Sequence, residues 1–390
     1  AAGGPSRNLT KAYDLHIETY TAADVSSGAA PTPPVWSLDG KTIYVQALMR
    51  GDQPLLAIPA AEDSTEPKRT IVEPGVVSSF SFDAAQEKIA ALWGFLGRTE
   101  QVAVKENNKP DLTILTDFNQ PLLADMNLGE IEEVKFTGPG GDELDGWILK
   151  PPGFNAAQRY PSILEIHGGP QAQYGRTFMH EFYFLAAQGY VVYWCNPRGS
   201  QGYGEAFAGA IYGSWGDVDY ADVMAWADIM EQQSYIDPQR MGVAGGSFGG
   251  YMTTLIIGRT DRFKAAVAQR VVSNLISMYG SSDMNIQVEE LVGTGAPPWT
   301  DLENQWRQSP ISTIGNATTP TLIIHSERDN RCDREQGEQV FVALQKLGVD
   351  SELLLFPDES HGLSRAGRTD RRVARLQHMA RWFEKYLKQG

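Results

Sequence analysis

The chain has 390 residues, 42% hydrophobic and 21% charged, a globular composition that excludes a disordered segment. Its 33 Lys and Arg against 48 Asp and Glu leave a net charge of −15, which argues against nucleic acid and an anionic membrane surface as partners. No apolar run approaches the ~18 residues of a membrane span. No basic-then-apolar leader opens the sequence. Cys195 and Cys332 are too few for a disulfide framework, and C-x-x-C spacing is absent, so a reducing, cytoplasmic setting without metal or cofactor is expected.

Residues 1–127 read as all-β. Short β-rich runs such as 42–45 and 89–93 stand between Gly, Pro, Asn and Asp clusters. Trp36-Ser37-Leu38-Asp39 and Phe80-Ser81-Phe82-Asp83 share an aromatic-Ser-x-Asp pattern 44 residues apart. That period is the length of one four-stranded propeller blade. Two blades cannot close a ring of ~4–8, so either the repeat is accidental or these are the C-terminal blades of a longer, here incomplete, array.

From residue 128 the texture changes. Segments 134–136 and 145–149 flank Gly138-Pro139-Gly140-Gly141 and predict an antiparallel hairpin. Strands expected at 163–166, 191–194, 241–244, 265–268, 321–324 and 353–356 then alternate with helices over 220–230, 335–347 and 371–387. In the last helix Val373, Leu376, Ala380, Phe383 and Leu387 step by three and four as a buried stripe. Buried strands alternating with helices make a mostly parallel, doubly wound α/β sheet over 128–390.

Gly245-Gly246-Ser247-Phe248-Gly249-Gly250 lies between the strand at 241–244 and a helical run from Tyr251. Strand, tight turn and helix with G-x-S-x-G in the turn is the nucleophile elbow of an α/β-hydrolase domain; the glycines permit a turn sharp enough to lift the Ser247 hydroxyl clear of the sheet. In that fold the acid and then the histidine follow the serine. His361 sits in the loop after the strand at 353–356, where such sheets place their chemistry, and is read as the base. His378 falls on the polar side of the terminal helix and reads as solvated. Glu327, Asp329 and Asp333 follow the strand at 321–324; Asp329 is the best placed, Asp358 is the runner-up, and Asp333 suits a helix cap. Oxyanion donors are expected from the N–H of Phe248 and from the His167-Gly168-Gly169-Pro170 loop, with Gly169 the expected second donor.

Four motifs recur in order: His167-Gly168-Gly169-Pro170, Asn196-Pro197-Arg198-Gly199-Ser200-x-Gly202-Tyr203-Gly204, Gly245-Gly246-Ser247-Phe248-Gly249-Gly250-Tyr251 and Glu359-Ser360-His361-Gly362. Together they resemble the prolyl oligopeptidase family of serine peptidases, and within it the acylaminoacyl-peptidase branch, over about residues 128–390. The resemblance implies a β-propeller before the hydrolase domain, which strengthens the blade reading of 1–127. It implies that Arg331, two positions after the acid, binds a substrate carbonyl oxygen, and that Val272, Leu275 and Tyr279 line the pocket before the scissile bond. Read from the residues alone, Arg331 could equally pair with Asp333 or Glu335. Short peptides are the implied substrates, and an oligomer is common among such relatives. Two departures stand out. Asp333 replaces a frequent Pro, and further blades are missing, so an upstream propeller segment is expected to complete the ring.

Other motifs read plainly. Residues 199–204 form a Gly-rich surface turn without a phosphate-loop lysine. His180-Glu181 lacks the second histidine of a zincin, and Glu289-Glu290 reads as a solvated helix face. A peptidase, an esterase of small acyl esters and a non-catalytic scaffold compete as functions. The ordered set of serine, acid, histidine and oxyanion loop disfavours the scaffold, and Arg331 with a propeller favours a peptide over an ester.

Overall fold

The computed structural model describes residues 7–17, 20–25, 32–61, 67–107, 109, 111–293 and 295–388; the other positions of the expected 1–127 region lie outside the described residues. Contacts group the chain into two units. The first comprises Ala1–Met126 with Ala172–Met179 and Gln201–Ala208, the second Asn127–Gln171, His180–Ser200 and Gly209–Gly390. The single boundary expected at 127/128 therefore misses two later segments that join the first unit. Their anchors are long-range: Arg176 pairs with Asp52 at 2.9 Å, and the buried Gln173 amide accepts from the Gly51 N–H and donates to the Asp52 carbonyl. No local sequence pattern signals such pairings.

The first unit carries two antiparallel meanders. Strands β1 (Val35–Trp36), β2 (Thr42–Gln46), β3 (Leu55–Pro59) and β4 (Lys68–Arg69) form one sheet; β5 (Val76–Phe82), β6 (Lys88–Phe95), β7 (Arg98–Glu106) and β8 (Leu112–Ile114) form the other. The repeated motif occupies equivalent places in both. Asp39 accepts from Ser37 at 2.7 Å and from the Lys41 N–H, and Asp83 accepts from the Lys88 N–H, so each aspartate closes the turn between the first two strands of its sheet. Leu55, Ile71, Val77, Phe80, Ile89 and Ala91 bury together as a core. Among the described residues these sheets do not close into a ring. A short helix, α1 (Gln120–Ala124), ends the region.

The second unit has eight strands. The expected hairpin, β9 (Glu130–Thr137) and β10 (Glu143–Lys150), lies at one edge. Next come β11 (Tyr160–Ile166), α2 (His180–Ala187), β12 (Val191–Cys195), α3 (Glu205–Gly209, shared with the first unit), α4 (Val218–Glu231), β13 (Ile236–Ser247), α5 (Phe248–Arg259) and β14 (Ala265–Val271). Helices α6 (Leu275–Ser281), α7 (Ile286–Val292) and α8 (Leu302–Gln308) intervene before β15 (Thr321–Ser326), α9 (Arg334–Leu347), β16 (Ser351–Phe356), α10 (Leu363–Ala366) and α11 (Thr369–Leu387). The sheet order is β16-β15-β14-β13-β11-β12-β10-β9, parallel from β16 through β12 and antiparallel beyond. Strands β12 and β15 are buried throughout, which explains their continuous apolar runs. Among the described residues no helix is long and apolar enough to cross a membrane.

The stripe expected on α11 is shifted. Leu376, Phe383 and Leu387 are buried, but Val373 is 48% exposed and the buried face instead includes Arg375, Met379 and Trp382. The Arg375 guanidinium meets Glu181 Oε2 at 2.6 Å and Gln269 Oε1 at 2.7 Å, so α11, α2 and β14 share one buried charge pair. Removing one partner of such a pair leaves an uncompensated buried charge, at a cost of about 3–5 kcal/mol.

Candidate active site

β13 runs through the centre of the sheet and ends at Ser247, where the chain turns into α5. Ser247 has φ 63° and ψ −121°, a strained conformation for a residue with a side chain. The turn closes because Gly249 lacks a Cβ: a methyl there would meet the Ile166 carbonyl oxygen of β11.

Asp329 is carried by the loop that leaves β15. It is 2% exposed, and its Oδ1 accepts from the backbone N–H groups of Arg331 (3.0 Å) and Cys332 (2.9 Å). His361 follows β16. Its Nδ1 lies 2.8 Å from Asp329 Oδ2, and its Nε2 lies 3.0 Å from Ser247 Oγ. With Nδ1 facing a carboxylate, that nitrogen carries the proton, and Nε2 presents its lone pair to the serine hydroxyl. Burial opposes the charge on Asp329, but hydrogen bonds from His361 and the Cys332 N–H outweigh it and hold the carboxyl below its ordinary range. Burial pulls the imidazole below its ordinary value against the raising effect of Asp329. An ionised acid beside a neutral base is the state that proton abstraction from Ser247 requires.

The other candidate carboxylates lie elsewhere. Glu327 is exposed, Asp358 pairs with Arg328 at 2.5 Å on the surface, and Asp333 caps α9 by accepting from the Glu335 N–H. His378 is half-buried on α11. The histidine loop is pinned by Glu359, which is buried and accepts from the Arg368 N–H (3.2 Å) and from Arg371 (3.5 Å).

The 167–170 loop lies against the elbow: a Cβ built on Gly168 would stand 3.2 Å from Ser247 Cβ. Gly169 follows with φ 137° and a cis bond to Pro170. Phe248 opens α5, so its N–H is among the first-turn donors that a helix leaves unpaired. His167 fixes the loop through Nδ1 to the Gly168 carbonyl and Nε2 to Ser200 Oγ, both at 2.9 Å. Burial lowers its pKa to about 4, so it stays neutral. Ser200 is 1% exposed, which corrects the reading of 199–204 as a surface turn: its hydroxyl is needed inside, against His167.

Arg331 pairs with Asp283, Nε to Oδ1 at 2.6 Å, rather than with Asp333 or Glu335. Glu335 instead accepts from Ser277. Val272 and Leu275 are buried just after β14 and at the start of α6, while Tyr279 is partly exposed, edge-on to Trp299 and bonded to Glu289. Two buried residues stand beside the acid: Cys332, near it in sequence with nothing to mark it as reactive, and His325, which sequence reasoning missed. His325 is the last but one residue of β15 and its Nε2 faces the Cys332 carbonyl at 2.7 Å, while burial pushes the Cys332 thiol up. Their one signal was position, at the end of a strand and inside the acid loop. No cluster of three or more His, Cys, Asp or Glu able to hold a metal occurs among the described residues.

Residues 176–390 match the prolyl oligopeptidase family. The chain is 37% identical to an uncharacterized peptidase, YuxL, of Bacillus subtilis over 97% of its own length and 57% of that protein. It is 30% identical to dipeptidyl-peptidase 5 of Trichophyton equinum over 91% of its length and 51% of that protein. Among solved structures it resembles Pyrococcus horikoshii acylaminoacyl peptidase (27% identity, TM-score 0.81, covering 89% of this chain and 55% of that one). It also resembles an acylaminoacyl peptidase in complex with Z-Gly-Gly-Phe-chloromethyl ketone (25% identity, TM-score 0.85, covering 99% and 58%). The chain thus spans about half the length of the curated relatives it matches. With this match over more than half its length and an α/β-hydrolase sheet behind a sheet-rich N-terminal region, the chain belongs to the prolyl oligopeptidase family.

Proposed function

We propose that this protein is a serine peptidase of short peptides, of the acylaminoacyl-peptidase or oligopeptidase type, acting through Ser247, His361 and Asp329. The continuous line of hydrogen bonds from Ser247 Oγ through the imidazole to the buried carboxylate carries the reading. Ser247 Oγ attacks the peptide carbonyl carbon while His361 Nε2 takes its proton. The N–H groups of Phe248 and Gly169 receive the oxyanion, and Asp329 stabilises the imidazolium. His361 then protonates the leaving amine, and water releases the acyl group from Ser247 by the same steps in reverse order.

A peptide rather than a small ester is favoured by Arg331, whose guanidinium Asp283 orients within two residues of the acid. Arg331→Ala is expected to lower kcat/KM for peptides roughly 10- to 150-fold, the equivalent of the ~1.5–3 kcal/mol of a charge-assisted hydrogen bond, while small activated esters barely change. Equal losses on both would mean that Arg331 supports the acid loop instead. Rates on an acyl-peptide, its free-amine form and a C-terminally amidated form identify the terminus recognised; turnover of esters alone would favour the esterase reading.

The two meanders are proposed as blades of a propeller that screens substrates by size, completed by an upstream segment. Their shared turn motif and the 57% and 51% coverage of the relatives support this. Intact mass under denaturing conditions tests it: full activity from a single species of this chain's mass would make a completed ring dispensable.

A further inference from the structure

Strand pairing beside the nucleophile is irregular. Gly242 to Gly246 of β13 face Ala265 to Gln269 of β14 one for one, but Ser247 faces Val271. Arg270 is the extra residue, so β14 bulges opposite the elbow. Such bulges in parallel pairs are rare and recur beside active sites, where they re-aim a side chain. Arg270 has φ 39°, a left-handed conformation that a residue with a side chain keeps only where its surroundings enforce it.

The re-aimed side chain has a definite destination. A Cβ built on Gly246 would lie 2.5 Å from the Arg270 guanidinium carbon and 2.6 and 2.8 Å from its terminal nitrogens. The position before the nucleophile is therefore bare, and a cation from the neighbouring strand fills its place. Its charge, a smaller influence than burial, opposes protonation of His361 and His325 and favours the Cys332 thiolate.

Resting on the reading of Ser247 and His361 as nucleophile and base, we propose that Arg270 is a positioning residue: the bulge fixes its guanidinium against the residue before the nucleophile, and this fixed cation works with burial to keep the His361 imidazole ready to accept a proton. The charged groups facing His361 are Asp329, Arg270 and, from α10, Arg365. Asp329 favours the imidazolium through its hydrogen bond. The two arginines oppose it, in the same direction as burial. His325, whose Nε2 lies 3.7 Å from Asp329 Oδ2, is held below its ordinary value chiefly by burial.

Losing a nearby cation eases protonation of His361, so the acid limb of the rate profile must move to higher pH. Two readouts serve: kcat/KM for a small activated ester, and the rate at which a fluorophosphonate modifies Ser247, each followed against pH. Arg270→Met is expected to move both acid limbs to higher pH and to lower kcat with KM kept. Arg270→Lys, which restores the charge, is expected to return the limbs to the wild-type position. Thermal unfolding identifies a variant that does not fold, and Arg270→Gln then replaces Arg270→Met. An unmoved limb in the neutral variant, or an equal shift in Arg270→Lys, overturns the proposal. Wild-type protein that the reagent does not label at Ser247 overturns the underlying reading of the site instead, so the two failures are distinct.

Discussion

Alanine in place of Ser247 is expected to abolish hydrolysis, with kcat falling by roughly 10⁶-fold by analogy with triad deletions in another serine peptidase. The hydroxyl is the atom that His361 Nε2 addresses at 3.0 Å, and among the described residues no other side-chain hydroxyl bonds that nitrogen. The fold should persist, because serine and alanine differ little in bulk and both accept the strained turn equally poorly. His361→Ala is expected to lose as much. A Ser247/His361 double variant should be no worse than either single one, since the two act as a unit. Steady-state rates on a peptide substrate measure this; a Ser247→Ala protein that kept most of its rate would remove the central claim.

Asp329→Asn is expected to lower kcat by about 10⁴-fold, the loss seen for the equivalent change in another triad. The geometry here says why an isosteric change is so costly. Asp329 Oδ1 already accepts two backbone N–H groups, from Arg331 and Cys332. An asparagine must keep its carbonyl oxygen there, because its amide nitrogen cannot accept those donors. The amide nitrogen is then turned toward His361 Nδ1, which must accept instead of donate. The imidazole proton moves to Nε2, facing Ser247, and the base is lost without any atom being displaced. Stopped assays at neutral pH measure the loss; an Asp329→Asn protein within tenfold of wild type would show that the carboxylate is not the orienting acid.

What could be read from the residues, and what could not, divides by the range of the cause. The elbow was legible because a turn that tight demands glycine at fixed places, and His361 was legible because strand order assigns the base to one loop. For the acid, position alone put Asp329 ahead of Glu327, Asp333 and the runner-up Asp358; its burial and its two backbone donors could be seen only in the fold. Distant partners left no local mark. Arg375 reads as a surface residue by its charge, yet Gln269, 106 residues away, and Glu181 hold it inside on the same face as Met379 and Trp382, while Val373 lies outside that face. Arg331 has nearby carboxylates to choose from and takes Asp283, 48 residues earlier. The bulge at Arg270 is a matter of register between two strands, and register is not written in either strand alone.

The three groups proposed to react lie far apart along the chain. Ser247 stands 114 residues before His361, and Asp329 32 residues before it. None of the three touches another until β13, β15 and β16 have taken their places in the sheet, and such distant contacts form late because the loops between them must close first. A collapsed chain with its helices formed but its last strand undocked holds only an ordinary alcohol, a buried-to-be carboxylate and a loose imidazole. In the proposed mechanism, hydrolysis therefore becomes available only once β13, β15 and β16 have all docked.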